Sequence, residues 1–374
     1  MTYDYIIAGA GCAGLSLAMR MAGDSFFDNK RILLIDCSPK TQNDRTWCFW
    51  SESDFGYQSA TKQSWKTLEF KSDKTTKSES ISPYTYYHLK SSDYYAEAKS
   101  VLNNKPNFTW VKEQISDLVA DQNGVSVLTR SQTYKADLVF NSICDKKKLT
   151  KASGMLWQHF YGYTIDINNV DFAHRPVTLM DFSLSDNEEY VQFGYILPFE
   201  DGRVLIEYTE FSHRQLEVDE YEELLSNYLK KLGIDNYSVL EKEHGRIPMS
   251  QSSFKRRDRG IIYIGTAGGM TKPTTGYTFR NIQLDSARIV SSLKTGEPKT
   301  TARGHQRFNF YDRLLLGIIK DEPSKVKPIM TSLFKRNKTR NILKFLDEQT
   351  SILEEIRIFL SIPWAPFLRQ LIKK

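Results

Sequence analysis

Three glycines, Gly9, Gly11 and Gly14, stand directly after the apolar run Tyr3 to Ala8 and constrain this chain more than any other feature. The run reads as a buried strand, Gly11 to Met21 as a helix with small residues on one side, and "RILLID" (Arg31 to Asp36) as a second buried strand. In such a strand–helix–strand unit Gly9 permits the tight turn, Gly11 lets the backbone approach a pyrophosphate, and Gly14 lets the helix pack on the strand. The pyrophosphate rests at a helix N-terminus, where free N–H groups and the helix dipole favour an anion. Asp36 lies 22 residues beyond Gly14, where an acid accepts ribose hydroxyls. Together these features predict a bound dinucleotide.

The remainder of the chain is long enough to use one. Its 374 residues, 40% of them hydrophobic and 13% aromatic, can fill more than one core. Four cysteines, Cys12, Cys37, Cys48 and Cys144, are scattered without C-x-x-C spacing, which suggests reduced thiols and neither a disulfide framework nor a metal site. The longest apolar windows are too short to span a bilayer, and the apolar start runs straight into the glycine loop without a basic leader, so a cytoplasmic protein is expected. Net charge is +6, yet residues 313–374 carry thirteen Lys/Arg against six Asp/Glu, so the basic character belongs to the tail. Such a tail suits either a solvated helical surface or peripheral contact with an anionic membrane. Its aromatics, Phe334, Phe345, Phe359, Trp364 and Phe367, sit among Leu and Ile at core-like or amphipathic positions, which argues against nucleic acid. Nothing in the sequence fixes an oligomeric state.

Segments between Met155 and Phe211 alternate like aromatic-rich strands of an antiparallel sheet. At Arg259 to Met270, "RGIIYIGTAGGM" returns to a strand followed by glycines, and helical patterning follows from about Ile282. Two glycine loops some 250 residues apart point to FAD, which is long enough to need both. The expected fold is therefore α/β: a Rossmann-like FAD-binding domain, discontinuous over 1–45, 90–150 and 240–300, with an antiparallel-sheet substrate domain inserted at 46–89 and 151–239, and a helical C-terminal region at 301–374. "FNSICD" (Phe140 to Asp145) lacks the D-x-x-G ending common in FAD enzymes at that place, and His159, His174 and His305 are isolated and receive no role.

The second loop, "GTAGGMTKPTTGY" (Gly265 to Tyr277), has Thr266 where many FAD enzymes carry an acid. It resembles instead the corresponding loop of flavin-dependent lycopene cyclases, whose P-T/A-T-G-Y run is matched by Pro273, Thr274, Thr275, Gly276 and Tyr277. "NDRTWCFW" (Asn43 to Trp50) is similar to the T-W segment that follows the ribose-binding acid in the bacterial members, and "LMDF…YVQFGYILPFEDGRVLIEYTEF" (Leu179 to Phe211) to their strand pair. The resemblance runs over roughly residues 1–310 and implies FAD in its reduced form, held by Gly9, Gly11, Gly14, Asp36, Gly265, Pro273, Thr274, Thr275 and Gly276, with NAD(P)H as electron donor.

The resemblance also implies a reaction, the non-redox closure of β-rings on a hydrophobic carotenoid, and a catalytic acid, Glu207. Read from the residues, Val204 to Thr209 is a strand whose apolar run is broken by one carboxyl, and burial raises a carboxyl pKa. The same residue suits a solvent-facing strand Glu. Where the family has a second acid directly after the first, this chain has Tyr208; Glu210 falls on the face of Tyr208, opposite Glu207. Trp47, Phe49, Trp50, Phe193 and Tyr195 are candidate walls for an apolar slot. Two other readings stay open on sequence alone: a redox flavoenzyme of the same fold, such as a monooxygenase or isoprenoid-chain reductase, and a non-catalytic lipid-escort protein.

Overall fold

A computed structural model describes residues 2–144, 155–167, 172–184, 187–214, 216–250, 254–296, 298–300, 304 and 306–373. Asp145 and His305, considered above, lie outside the described residues. The apolar strands at the start of the chain form a parallel sheet, the arrangement expected when both faces are covered. Its order is Phe108–Lys112, Ile32–Asp36, Thr2–Ala8, Thr133–Asn141, Ile261–Tyr263. Helices Cys12–Ala22 and Phe279–Leu293 bury their apolar sides on one face, together with Ser91–Asn103. The meander Ile115–Asp121 and Gly124–Thr129 pairs onto Thr133–Asn141, and its side chains join those covering the other face. This is a Rossmann-like α/β fold of the FAD-binding kind, with the two glycine loops at the carboxyl ends of Thr2–Ala8 and Ile261–Tyr263, the strands on either side of Thr133–Asn141.

The second layer is a seven-stranded sheet in the order Tyr237–Met249, Leu156–Ile167, Val204–Ser212, Val191–Pro198, Val177–Asp181, Thr67–Ser72, Thr75–Ser80. All neighbours are antiparallel except Val177–Asp181 with Thr67–Ser72. Its two central strands, Val191–Pro198 and Val204–Ser212, are buried at every position, so both faces must be covered. Helix Val218–Lys231 covers one face through Tyr221, Leu225 and Tyr228, which pack with Ile206 and Tyr208. The other face meets a three-stranded sheet, Thr46–Ser51, Thr85–Lys90 and Gln63–Trp65, and the helices Gln306–Asp321, Val326–Arg336 and Thr339–Leu346. Phe334 stacks on Phe70 there at 4.4 Å.

One expected boundary moves. Residues 240–249, placed by sequence with the cofactor domain, belong to the strand Tyr237–Met249 of the seven-stranded sheet, paired with Leu156–Ile167 along its length. The run E-K-E-H-G-R reads as solvated surface; the pairing supplies the long-range contact that sequence pattern lacks.

Helices Ile352–Leu360 and Ala365–Ile372 follow. Ile352, Leu353, Ile356 and Leu360, then Trp364, Leu368, Leu371 and Ile372, recur at helical spacing and are all exposed. Singly exposed apolar residues are ordinary; eight of them along two successive helices are not. Among the described residues, no helix is long and apolar enough to cross a membrane.

The tightest joint in the first layer is Gly14, where an added Cβ would fall inside contact distance of the Gly9 carbonyl oxygen and 3.0 Å from Ile7 Cγ2. Backbone cannot yield there as a flexible side chain would. Gly14→Ala is expected to lower stability by about 1–3 kcal/mol, the usual cost of overpacking. Thermal unfolding checks this, and an unshifted melting temperature would show that helix and strand are not held so closely.

Candidate functional site

Strand alternation decides what each side of the seven-stranded sheet can do. Tyr195, Glu207, Gly162 and Glu243 are cross-strand partners in one row, Tyr195 to Glu207, Glu207 to Gly162, and Gly162 to Glu243, and therefore share a face. Gly162 has no side chain to fill the middle of the row. A Cβ there would lie 2.7 Å from Glu207 Cγ, so the Glu207 side chain leans across the gap and its carboxyl comes within hydrogen-bonding reach of Glu243. Glu207 is only 9% exposed. Burial, and next the negative charge of Glu243, hold its carboxyl well above the usual range and favour its protonated form.

Glu243 is fixed from outside the sheet. Thr46 Oγ1 donates to its Oε2 at 2.6 Å, while its buried Oε1 accepts from no N–H or hydroxyl among the described residues. Thr46, Cys48 and Trp50 alternate along Thr46–Ser51 and point toward the Glu207 face, as their contacts with Glu243, Tyr195 and Tyr277 show. Trp47 and Phe49 point the other way. They pack with Tyr94 and Phe279 in the cofactor-domain core, so of the five candidate walls only Trp50, Phe193 and Tyr195 flank this face. A chain of phenols crosses it, Tyr277 Oη to Tyr86 Oη at 3.0 Å and Tyr86 Oη to Tyr195 Oη at 2.8 Å; burial raises all three, so they stay neutral.

The opposite face treats its carboxyl in the reverse manner. Glu210 accepts from Arg214 Nε at 2.7 Å and Nη2 at 2.8 Å, from Tyr208 Oη at 2.6 Å and from Gln192 Nε2 at 2.9 Å. These donors outweigh its desolvation and hold it below the usual carboxylate range. His159, also buried, bonds Ser212 and Tyr221 beside it and is structural. Glu210 is thus unavailable as the second acid near Glu207; Glu243 occupies that position.

The expected cofactor residues fall into three groups. Gly9, Gly11, Gly14, Asp36 and Gly265 gather at the strand ends: Gly9 has φ +91°, the Ala10 N–H donates to Asp36 Oδ2 at 2.7 Å, and a Cβ on Gly265 would lie 2.7 Å from Ala13 Cβ. A Cβ on Gly11 would meet nothing within 4 Å, as an approaching phosphate requires. Asp36 also accepts from Ser38 N at 2.8 Å and pairs with Lys40 at 3.5 Å, so it braces the loop. Thr275 and Gly276 reach the Glu207 face: Gly276 has φ +73°, and a Cβ on it would lie 2.5 Å from Gln158 Oε1. Thr275 Oγ1 and Gln158 Oε1 are both buried without a partner among the described residues, an arrangement that fits a flavin ring edge bearing donors and acceptors. Pro273 is buried, and Thr274 turns away to donate to Asp312 at 2.8 Å.

The sequence profile of the family described as "Lycopene cyclase protein" matches residues 4–372. The chain belongs to the lycopene cyclase family. A lycopene beta-cyclase of a Paracoccus species is 27% identical over 327 residues, covering 84% of this chain and 79% of that one. Two solved structures share the fold: a geranylgeranyl bacteriochlorophyll reductase-like protein of Thermoplasma acidophilum (TM-score 0.65, 12% identity, 100% of this chain and 99% of that one). The second is a flavoprotein/dehydrogenase of Cytophaga hutchinsonii (TM-score 0.63, 12% identity, all of both chains).

Sequence reasoning missed Gly162 and Glu243. A glycine inside a strand pattern is a known sign of close approach, and that signal was available at Gly162. The Glu210 assignment gives a direct check. Arg214→Met leaves a buried carboxylate without its main partner, and is expected to cost about 2 kcal/mol or more at pH 7. Because the parent's Glu210 lies below its unfolded value, the stability it contributes is present above about pH 4.5 and is lost as pH falls. Denaturant melts of parent and variant should therefore converge in acid; a constant gap would dissociate Arg214 from Glu210.

Proposed function

We propose that the protein is a lycopene β-cyclase in which Glu207 is the acid that starts ring closure. The observation that carries this reading is a buried carboxyl, its protonated form favoured by its surroundings, under the P-T-T-G-Y loop and on a face lined by neutral phenols and aromatic rings. Family membership supports the substrate class, and the two converging glycine loops support FAD as cofactor. Gly9, Gly11, Gly14, Asp36 and Gly265 would hold its dinucleotide, and Thr275 and Gly276 its ring. Bound and reduced by NAD(P)H, FAD supplies negative charge beside a carbocation without being consumed.

The protein's own groups account for the proton. The Glu207 O–H bond breaks as the electrons of the terminal C=C of the linear polyene form a new C–H bond, leaving a tertiary cation. The neighbouring double bond closes the ring onto that cation. Loss of a ring proton to the Glu207 carboxylate then restores the acid, so substrate and product are isomers. A hydrocarbon offers no hydrogen bonds, and its orientation rests on shape against Trp50, Phe193 and Tyr195. Aromatic faces stabilise a nearby cation by about 0.5–2 kcal/mol each.

The exposed stripe on Ile352–Leu360 and Ala365–Ile372, with the basic excess of residues 313–374, supports peripheral attachment to an anionic membrane, where such a substrate dissolves. The reading places the protein on the inner face of the cell membrane.

Glu207→Gln keeps the shape but not the acid, and cyclisation should fall by about 100-fold or more with flavin retained. In D₂O the parent should place about one deuterium in each new ring, since the proton comes from an exchangeable group. NAD(P)H should prime the reaction and not be used in proportion to product. Stoichiometric NAD(P)H use with hydrogen or oxygen added to the product would replace this reading with a redox one, and a fully active Glu207→Gln would falsify the assignment of the acid.

For the membrane, the protein should sediment with vesicles containing anionic phospholipid and release as salt rises. Leu353→Glu with Leu360→Glu should abolish sedimentation without unfolding the chain; unaltered binding by this double variant would exclude the stripe.

A further inference from the structure

We infer that Glu243 is a positioning residue for the reaction: across the side-chain gap at Gly162 it forms with Glu207 a pair that holds one proton and keeps it on the acid. The inference rests on Glu207 being the proton donor, and it adds what determines when that donor is charged.

Three features of the geometry converge on it. Gly162 stands between the two glutamates in register, and a Cβ there would be 2.7 Å from Glu207 Cγ, so the carboxyls can approach only because that position is glycine. Thr46 fixes one oxygen of Glu243 at 2.6 Å, and the other is buried without a donor among the described residues. Neither glutamate forms an ion pair with Lys, Arg or His among the described residues, whereas Glu210, on the reverse face, is held by Arg214. Two carboxylates in contact and out of water repel strongly, so at least one must carry a proton. That proton gives the otherwise orphaned Glu243 Oε1 a hydrogen bond.

The surrounding groups leave this balance to the pair. Cys48 from Thr46–Ser51, Tyr86 from Thr85–Lys90, Tyr195 from Val191–Pro198 and Tyr277 from the loop face it, and burial raises each of them, so all stay neutral. Glu241, two residues from Glu243, is bound by Lys90 at 2.6 Å and Asn43 at 2.6 Å. His88 is buried and lowered to about 4, first by desolvation and then by Lys90, and adds no charge at neutral pH. Glu243 is therefore the one ionisable neighbour set to tune Glu207 among the described residues.

The test is the pH profile of cyclisation by the flavin-loaded enzyme with chemically reduced flavin and lycopene in detergent. Turnover requires protonated Glu207, so it falls on the basic side as that proton is lost. Glu243→Gln keeps the size and a hydrogen bond to Thr46 but removes the negative charge that raises Glu207. The basic limb of kcat should move to lower pH by about one unit or more, with KM and flavin content near the parent's. A purely structural role for Glu243 would leave the limb where it is with this near-isosteric change. An unmoved limb overturns the inference while leaving Glu207 as the acid, whereas a fully active Glu207→Gln removes the acid itself and Glu243 with it. Should Glu243→Gln fail to fold, Gly162→Ala provides the second arm: it separates the carboxyls, and the limb should again move down, an unchanged limb being the contrary result. Infrared difference spectra in D₂O should show a protonated carboxyl band that is absent in Glu207→Gln and titrates at lower pH in Glu243→Gln, and titration at the parent's pH would overturn the inference without recourse to activity.

Discussion

A carboxyl remains protonated at neutral pH only where water and cations are kept from it, and the architecture around Glu207 satisfies both conditions. The strand Val204–Ser212 is buried at every position, which requires a covering layer on each face. Helix Val218–Lys231 supplies one cover, and the three-stranded sheet with the P-T-T-G-Y loop supplies the other. Alternation along a single strand then separates two carboxyls by three positions and opposite fates. Glu210 meets a guanidinium and is held ionised; Glu207 meets aromatic rings, phenols and another carboxyl, and its neutral form is favoured. The same residue type on one strand is thus set to opposite charge states by what each face packs against.

The parts of this arrangement legible in the sequence are those that local pattern controls. The glycine loop, its flanking apolar strands and Asp36 are specified within thirty-six residues, and the contacts there are short in sequence or follow from β-α-β geometry. Glu207 stood out because it interrupts an apolar run. Glu243 did not, because Glu241, Lys242 and Glu243 read as an exposed charged stretch; only pairing with Leu156–Ile167, some eighty residues away, turns one of those charges inward. The same limit explains the domain boundary set too early at 240 and the split among the aromatic residues. Thr46–Ser51 alternates, and which of its two faces meets the acid depends on a sheet the strand does not itself belong to.

Gly162 shows how little a sequence needs to specify such a site once the sheet exists. In an antiparallel sheet, residues two strands apart are normally too far for carboxyl contact, since each neighbouring strand adds about 4.8 Å. Emptying the intervening position removes the obstacle, and both long side chains can lean inward. A single residue with no side chain thereby sets the proximity of the two carboxyls.

The loop above this pair is positioned from a third direction. Lys272, which precedes Pro273, is buried and bonds Asp312 at 3.1 Å and Glu348 at 3.0 Å, while Thr274 bonds the same Asp312 at 2.8 Å. Burying three charges costs desolvation that a well-packed apolar cluster would avoid, so such a network is weak as a source of stability. What it provides is a fixed location: Asp312 lies on Gln306–Asp321, the helix against which Ala365–Ile372 packs with its exposed apolar residues. The exposed apolar surface of Ala365–Ile372 and the loop over Glu207 are thus joined through one helix, whose Asp312 holds Lys272 and Thr274 at the base of the turn that carries Thr275, Gly276 and Tyr277.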